Sequence, residues 1–157
     1  MSPERRKRAA EAFWRDSESP DIQVQQMEVI GTLARRLNFR TKSIQSLPLE
    51  RKARHLAQLN DVSDAVAMRA LVAYHFADQR PLMGAFLDAL GLAHDNGLIT
   101  AEDVPPPTRA QVQSAVDALR QAGHFPSEDV EFYLRTLASL DSETWANVDA
   151  VLQAQEA

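Results

Sequence analysis

The sharpest candidate for chemistry in this sequence is the doublet His94-Asp95, at the end of the apolar run that begins at Ala89. The doublet is followed by Asn96-Gly97, and Asp and Asn are residue types that favour turns because their side chains bond to nearby backbone groups. The residues taken alone therefore predict a local hydrogen-bonded turn at this point of the chain.

The same run resembles the core motif of the HD-domain metal phosphohydrolases, in which an apolar helix leads into a His-Asp doublet followed one residue later by Gly. That family is all-helical, and the resemblance implies a divalent metal held by His94 and Asp95, with His55 as the upstream ligand. A further carboxylate would complete the set, and two are available downstream: Asp129 and Asp141. An HD-like metal-dependent phosphohydrolase is therefore the enzymatic alternative for this chain.

We nevertheless predict no divalent metal at the doublet and no cofactor. Gly91 is a natural helix stop, which would leave His94-Asp95 in a loop. At about 100° per residue, His55 points away from the apolar stripe of its own helix. The sequence also contains no Cys, so a thiolate nucleophile and a Cys-based zinc site are excluded. Neither a Gly-x-Ser-x-Gly elbow nor a phosphate loop occurs, and we expect a protein without enzymatic activity.

Two charged residues, Arg69 and Asp88, each stand in an otherwise apolar helical segment. If these segments form an antiparallel hairpin that turns near Asp78, the two residues lie level, and pairing them avoids the high cost of burying either charge alone. We predict a buried Arg69–Asp88 salt bridge, either a structural clamp or a polar spot in a pocket for an apolar small ligand. His75 is a third candidate binding residue, interpreted as a cation that suits the end of its helix.

Helical periodicity recurs along the chain and sustained strand alternation does not, so the sequence predicts an all-α fold, a helical bundle of about eight helices. Capping residues mark the expected helix starts. These starts are Ser2-Pro3, Ser19-Pro20, Pro48, Asp61, Asp78, Thr108 with Gln111, Pro126-Ser127 and Asp141-Ser142. Helix ends are expected at Asn38, Gly91 and Gly123. Gly31, inside the second helix, predicts a close approach of another backbone.

The prolines Pro105 to Pro107 predict a boundary, because they force extended backbone. The sequence therefore predicts an N-terminal helical bundle at 1–100 and a C-terminal three-helix segment at 108–157, or a single domain that contains both. The stretch from Leu92 to Pro107 is expected to be irregular.

The net charge of −5 argues against nucleic acid as the main partner, since phosphate neutralisation needs a basic surface. The charge is uneven, with a basic cluster from Arg5 to Arg8 and an acidic C-terminal third. The cluster is either a solvated helix face or a surface for self-association or for an acidic partner. The apolar stretches are too short to span a bilayer, and no apolar run follows the basic N-terminus. We expect a cytoplasmic protein that works through a protein partner or as a homo-oligomer.

Overall fold

The computed structural model describes residues 1–16 and 20–156, and in these residues the chain is 72% helical, with nine helices and almost no sheet. The predicted all-α fold is confirmed. The chain divides into two compact units, Met1–Ala77 and Asp78–Ala157. None of the described helices combines the length and the apolar character that crossing a membrane requires.

The first unit is built around one apolar core. Its helices are α1 (Pro3–Arg15), α2 (Pro20–Leu37), α3 (Thr41–Gln45), α4 (Leu49–Gln58) and α5 (Asp64–Asp78). Helix α1 lies closely on α4, and α2 packs against α1, α3 and α4. The centre of the core is fully buried and is formed by Phe13, Ile22, Leu33, Ile44 and Ala53.

The second unit has an aromatic core. Its elements are α6 (Arg80–Leu90), β1 (His94–Asp95), β2 (Leu98–Ile99), α7 (Arg109–Ala122), α8 (Ser127–Leu140) and α9 (Ala146–Glu156). The ring of Phe86 lies edge-on to that of Tyr133 at 5.7 Å and 6.2 Å from that of Trp145, and all three side chains are buried. Burial raises the pKa of the Tyr133 hydroxyl, so this residue stays neutral in the core.

Several helix ends lie where the sequence predicts them. The Ser2 side chain accepts a hydrogen bond from the Arg5 N–H at 3.2 Å, and Thr108 with Gln111 forms a reciprocal capping box. Three predicted stops adopt left-handed backbone: Asn38, Gly91 and Gly123. The predicted cap at Ser19 lies outside the described residues. These features agree because a cap depends on residues a few positions apart.

Three other predicted starts are displaced. The helix expected from Asp61 begins at Asp64 instead, where the Ser63 hydroxyl accepts from the Val66 N–H at 3.3 Å. Asp141 caps a separate turn by accepting from the Thr144 N–H at 3.1 Å, and α9 begins only at Ala146. The third displaced start is that of α6, which has Gln79 rather than Asp78 as its N-cap.

The stretch expected to be irregular contains a small hairpin, so that prediction is wrong for residues 94–99. Strands β1 and β2 pair antiparallel with Asp95 opposite Leu98, which leaves Asn96 and Gly97 as a two-residue loop. Both loop residues have positive φ, 48° and 91°, as a type I′ turn requires. Asn-Gly is the residue pair that this turn prefers, so the signal was present in the sequence.

The compact units divide before α6, whereas the sequence predicts a boundary at the prolines. The backbone at the prolines is anchored inside the second unit: Pro107 is buried, and its carbonyl accepts a hydrogen bond from the Asn147 side chain at 2.8 Å. Helix α6 packs on α7, which lies beyond the prolines. An extended proline segment therefore connects two parts of one unit here.

Candidate interaction surfaces

An apolar groove of about 150 Å³ lies among α1, α4 and α5 in the first unit. We call it the α1–α4–α5 groove. Small and branched apolar side chains form most of its wall, including Ala10, Leu56, Ala57, Val66, Ala67 and Ala70. Ala67, Met1 and Arg6 are exposed, so the groove opens to solvent. An open concave surface of this kind can receive one or two apolar side chains from another molecule.

Residue size explains why the groove exists. The small side chains of Ala10 and Ala53 let α1 approach α4 closely. Helix α5 stands farther from these two helices and contributes Val66 to the core. The alanines that face the intervening space are too small to fill it, so an apolar depression remains.

Among the described residues that line the groove, Arg6 is the one with a cationic side chain. Its neighbours in the basic cluster form ion pairs, Arg8 with Glu4 at 3.1 Å and Lys7 with Glu50 at 4.0 Å. Arg6 forms no ion pair within residues 1–16 and 20–156. Its guanidinium is thus available to a negative group beside the apolar surface.

The predicted binding residue His75 lies on α5 and is only 2% exposed. Burial, the larger cause, and the nearby positive charge of Arg5 together lower its pKa from 6.5 to about 4. The imidazole is therefore neutral at pH 7. The interpretation of His75 as a cation at a helix end is wrong, because tertiary burial outweighs the helix dipole at this position.

The premise of the Arg69–Asp88 salt bridge, that both charges are buried, is wrong for Asp88. The Asp88 side chain is 74% exposed, and its carboxylate pairs with His94. Arg69 is half-buried. Sequence reasoning assigned Asp88 to a close-packed face, but its carboxylate lies in solvent, where it can be charged without a buried partner.

His94 joins the hairpin to α6. Its Nδ1 accepts a hydrogen bond from the Gly97 N–H at 3.1 Å, so Nε2 carries the proton and donates to Asp88 at 2.7 Å. Gly84 makes room for the ring, since a Cβ there would lie 3.2 Å from the His94 Cε1. Arg80 adds a bond from its guanidinium to the Asn96 carbonyl at 3.0 Å. The predicted local hydrogen-bonded turn is confirmed.

The ligand set that the HD resemblance implies does not fit this geometry. Both ring nitrogens of His94 are engaged locally, and Asp141, one of the downstream candidates, accepts hydrogen bonds from Thr144 that lower its pKa. In the part of the chain that the structure describes, no three His, Asp or Glu side chains are grouped closely enough to hold a metal ion. Within the second unit, Asp95 and Asp129 therefore complete no site with His94.

No protein-family model, curated protein or solved structure matches this chain.

Sequence reasoning missed the groove, an open apolar depression in the first unit. The available signal was the number of alanines on three apolar helix faces, Ala10, Ala57 and Ala67 among them. Periodicity identifies such faces as buried, but it cannot show that small residues on three helices meet and leave space between them.

Proposed function

We propose that this chain is a non-enzymatic protein-interaction module whose α1–α4–α5 groove receives an amphipathic helix from an acidic protein partner. The observation that supports the proposal is an apolar groove, open to solvent, with Arg6 in its wall, a residue that forms no ion pair with the part of the chain that the structure describes. Apolar side chains of the partner would enter the groove, and a carboxylate beside them would meet Arg6. We propose the cytoplasm as the location.

The volume of the groove favours a partner's side chains over a small molecule. Pockets for drug-sized ligands are roughly 300–1,000 Å³. At about 150 Å³ the groove is well below that range and holds an anchor residue or two. Helix-in-groove recognition uses such anchors at i, i+3 or i+4 spacing, so an amphipathic helix is the occupant whose shape agrees best.

Charge supports an acidic partner. The first unit contains 13 Lys and Arg against 9 Asp and Glu, a formal charge of +4, although the whole chain is −5. Helices α1 and α4 carry much of this positive charge, Arg51 and Arg54 included. The local potential therefore attracts anionic groups and accelerates their encounter with the groove.

The test uses two synthetic helical peptides with Leu at i, i+3, i+4 and i+7, one with Glu and one with Lys at the exposed positions. Fluorescence anisotropy of the labelled peptides should show binding of the Glu peptide, at least about tenfold tighter than the Lys peptide, since one charge contact is worth about 1.4 kcal/mol or more when partly desolvated. Equal binding of both peptides, or of neither, would contradict the proposal.

Two variants locate the binding. Ala67→Leu fills the groove and should abolish binding, whereas Ala65→Leu places the same change on an exposed position of α5 outside the groove. Arg6→Glu should remove the preference for the Glu peptide, whereas Arg15→Glu makes the same charge change on α1 away from the groove. Loss of binding in the control variants as well would place the contact elsewhere.

A further inference from the structure

The outward face of α2 carries apolar side chains that the chain itself leaves exposed. Val24 is 72% exposed, Met27 is 52% exposed, and Phe39, just past the helix end, is 51% exposed. At about 100° per residue, Val24 and Met27 share a face with Glu28, Gly31 and Arg35, opposite the buried Ile22 and Leu33. We call this the α2 outer face.

Gly31 lies at the middle of the α2 outer face. A Cβ built on it would have nothing within 4 Å in the described residues, so the close approach predicted from the sequence is not made within this part of the chain. The glycine nevertheless lowers the helix stability. A residue without a side chain at the centre of an exposed apolar face lets another helix come near the backbone.

The charges on this face are self-complementary. Glu28 and Arg35 lie three residues before and four residues after Gly31. Neither side chain has an ion pair among residues 1–16 and 20–156. When two copies of α2 cross antiparallel at Gly31, Glu28 of each copy lies within one residue, about 1.5 Å along the helix axis, of the level of Arg35 in the other. The same two-fold arrangement brings the Val24 end of one helix to the Phe39 end of its partner.

We infer that two copies of this chain associate through their α2 outer faces, as an antiparallel, two-fold symmetric helix pair that crosses at Gly31. In each copy, Val24 and Met27 become buried in the interface. Two symmetry-related contacts join Glu28 of one copy to Arg35 of the other. A single helix pair buries less than the roughly 800 Å² per partner of a standard stable interface. The dimer is therefore concentration-dependent, with dissociation constants in the range of about 10 to 100 μM rather than nanomolar. This inference is independent of the groove.

Sedimentation equilibrium over a concentration series of the full chain tests the inference. A monomer–dimer equilibrium is the expected result, and a monomer at every concentration up to about ten times the upper estimate would overturn it. Gly31→Leu should weaken the dimer at least tenfold while raising the thermal unfolding midpoint of the monomer. These opposite directions separate loss of the interface from loss of folding.

Exchanging the charges of Glu28 and Arg35 tests the register of the helix pair. Glu28→Arg and Arg35→Glu should each prevent self-association, because each places like charges opposite one another at both ends of the pair. A mixture of the two variants should form a heterodimer, since both contacts are then of opposite charge. The matched control Glu11→Arg changes the same charge on α1 and should leave the wild-type equilibrium within twofold. A mixture that stays monomeric, or single variants that dimerise as the wild type does, would refute the antiparallel pairing.

Discussion

The two compact units of this chain differ most in charge. The first contains 13 Lys and Arg against 9 Asp and Glu, and the second contains 4 against 13, so their formal charges are +4 and −9. The whole-chain value of −5 conceals this opposition. A net charge that argues against a polyanionic partner for the whole protein therefore says nothing about one basic helix within it.

The units also differ in their exposed apolar surface: of the large apolar side chains exposed in the described residues, four lie in the first unit and two, Leu98 and Leu140, in the second. In the second unit, the hairpin is bonded to α6 through His94 and Asp88, and the proline segment is bonded to Asn147 near the start of α9. In the first unit, the α1–α4–α5 groove and the α2 outer face leave apolar surface exposed. Both proposed contacts with other molecules thus lie on the first unit, and variants can test whether the two units also behave differently in stability.

The largest expected effect comes from truncating the aromatic core of the second unit. Phe86→Ala should lower the free energy of unfolding by about 3–5 kcal/mol, because it removes a fully buried ring and leaves a cavity. Each unit has its own fluorescent reporter, Trp14 in the first and Trp145 in the second. In single-Trp variants, urea unfolding should shift the Trp145 midpoint more than the Trp14 midpoint.

The corresponding change in the first unit is Leu33→Ala, in its core. It should shift the urea midpoint reported by Trp14 more than the midpoint reported by Trp145. Equal shifts of both reporters in both variants would mean that the units unfold together. The two units would then differ in charge and in exposed surface but not in stability.

The second expected effect is a pH dependence that arises from His75 in the first unit. The unfolded chain binds a proton at His75 below pH 6.5, and the folded chain does so only below about pH 4. Stability from this residue is therefore complete above pH 6.5, and it is lost as the pH falls toward 4, by about 3 kcal/mol at most. Urea unfolding at a series of pH values should show this slope at Trp14, and His75→Phe should remove it.

The exposed His124 provides the control for that pH series, since His124→Ala should leave the slope unchanged. A His75→Phe protein whose stability still falls between pH 6.5 and 4 by the wild-type amount would assign the effect to carboxylates elsewhere.

A smaller effect is expected at the turn of the hairpin in the second unit. Gly97→Ala should cost about 2 kcal/mol or more, because the backbone has a φ of 91° and a Cβ would lie 2.9 Å from the Met83 Cβ. Gly123→Ala measures the cost of a positive φ alone, since the φ of Gly123 is 68° and nothing lies within 4 Å of a Cβ built there. Thermal unfolding should show that Gly97→Ala is more destabilising than Gly123→Ala. The reverse order would show that the hairpin shifts to accommodate the added methyl group.

The smallest effect has the opposite sign and lies in the first unit. Gly31→Ala should stabilise the monomer by about 1 kcal/mol, because it replaces a helical glycine with open space around it. The measurement is thermal unfolding at low protein concentration, where self-association does not contribute. Destabilisation by this change would mean that the α2 outer face is already covered within the chain.

Local features of the fold could be read from the sequence, and the candidate site could not. The caps at Ser2 and Thr108 and the left-handed stops at Asn38 and Gly91 were predictable because their geometry is decided within one helical turn. The Asn96-Gly97 hairpin was equally local, and it escaped prediction because two-residue strands show no alternation. The groove depends on three helices that are distant in sequence.

By itself the sequence determined that this chain is helical, where three of its helices end, and that its charge is unevenly distributed. Only the tertiary structure decided which charged and polar groups enter the interior: His75 is buried and neutral, while Asp88 remains in solvent beside His94. The physical reason is the distance along the chain over which each interaction acts. Caps and periodicity act over a few residues, whereas desolvation, cavity volume and ion pairing depend on what other parts of the chain bring into contact.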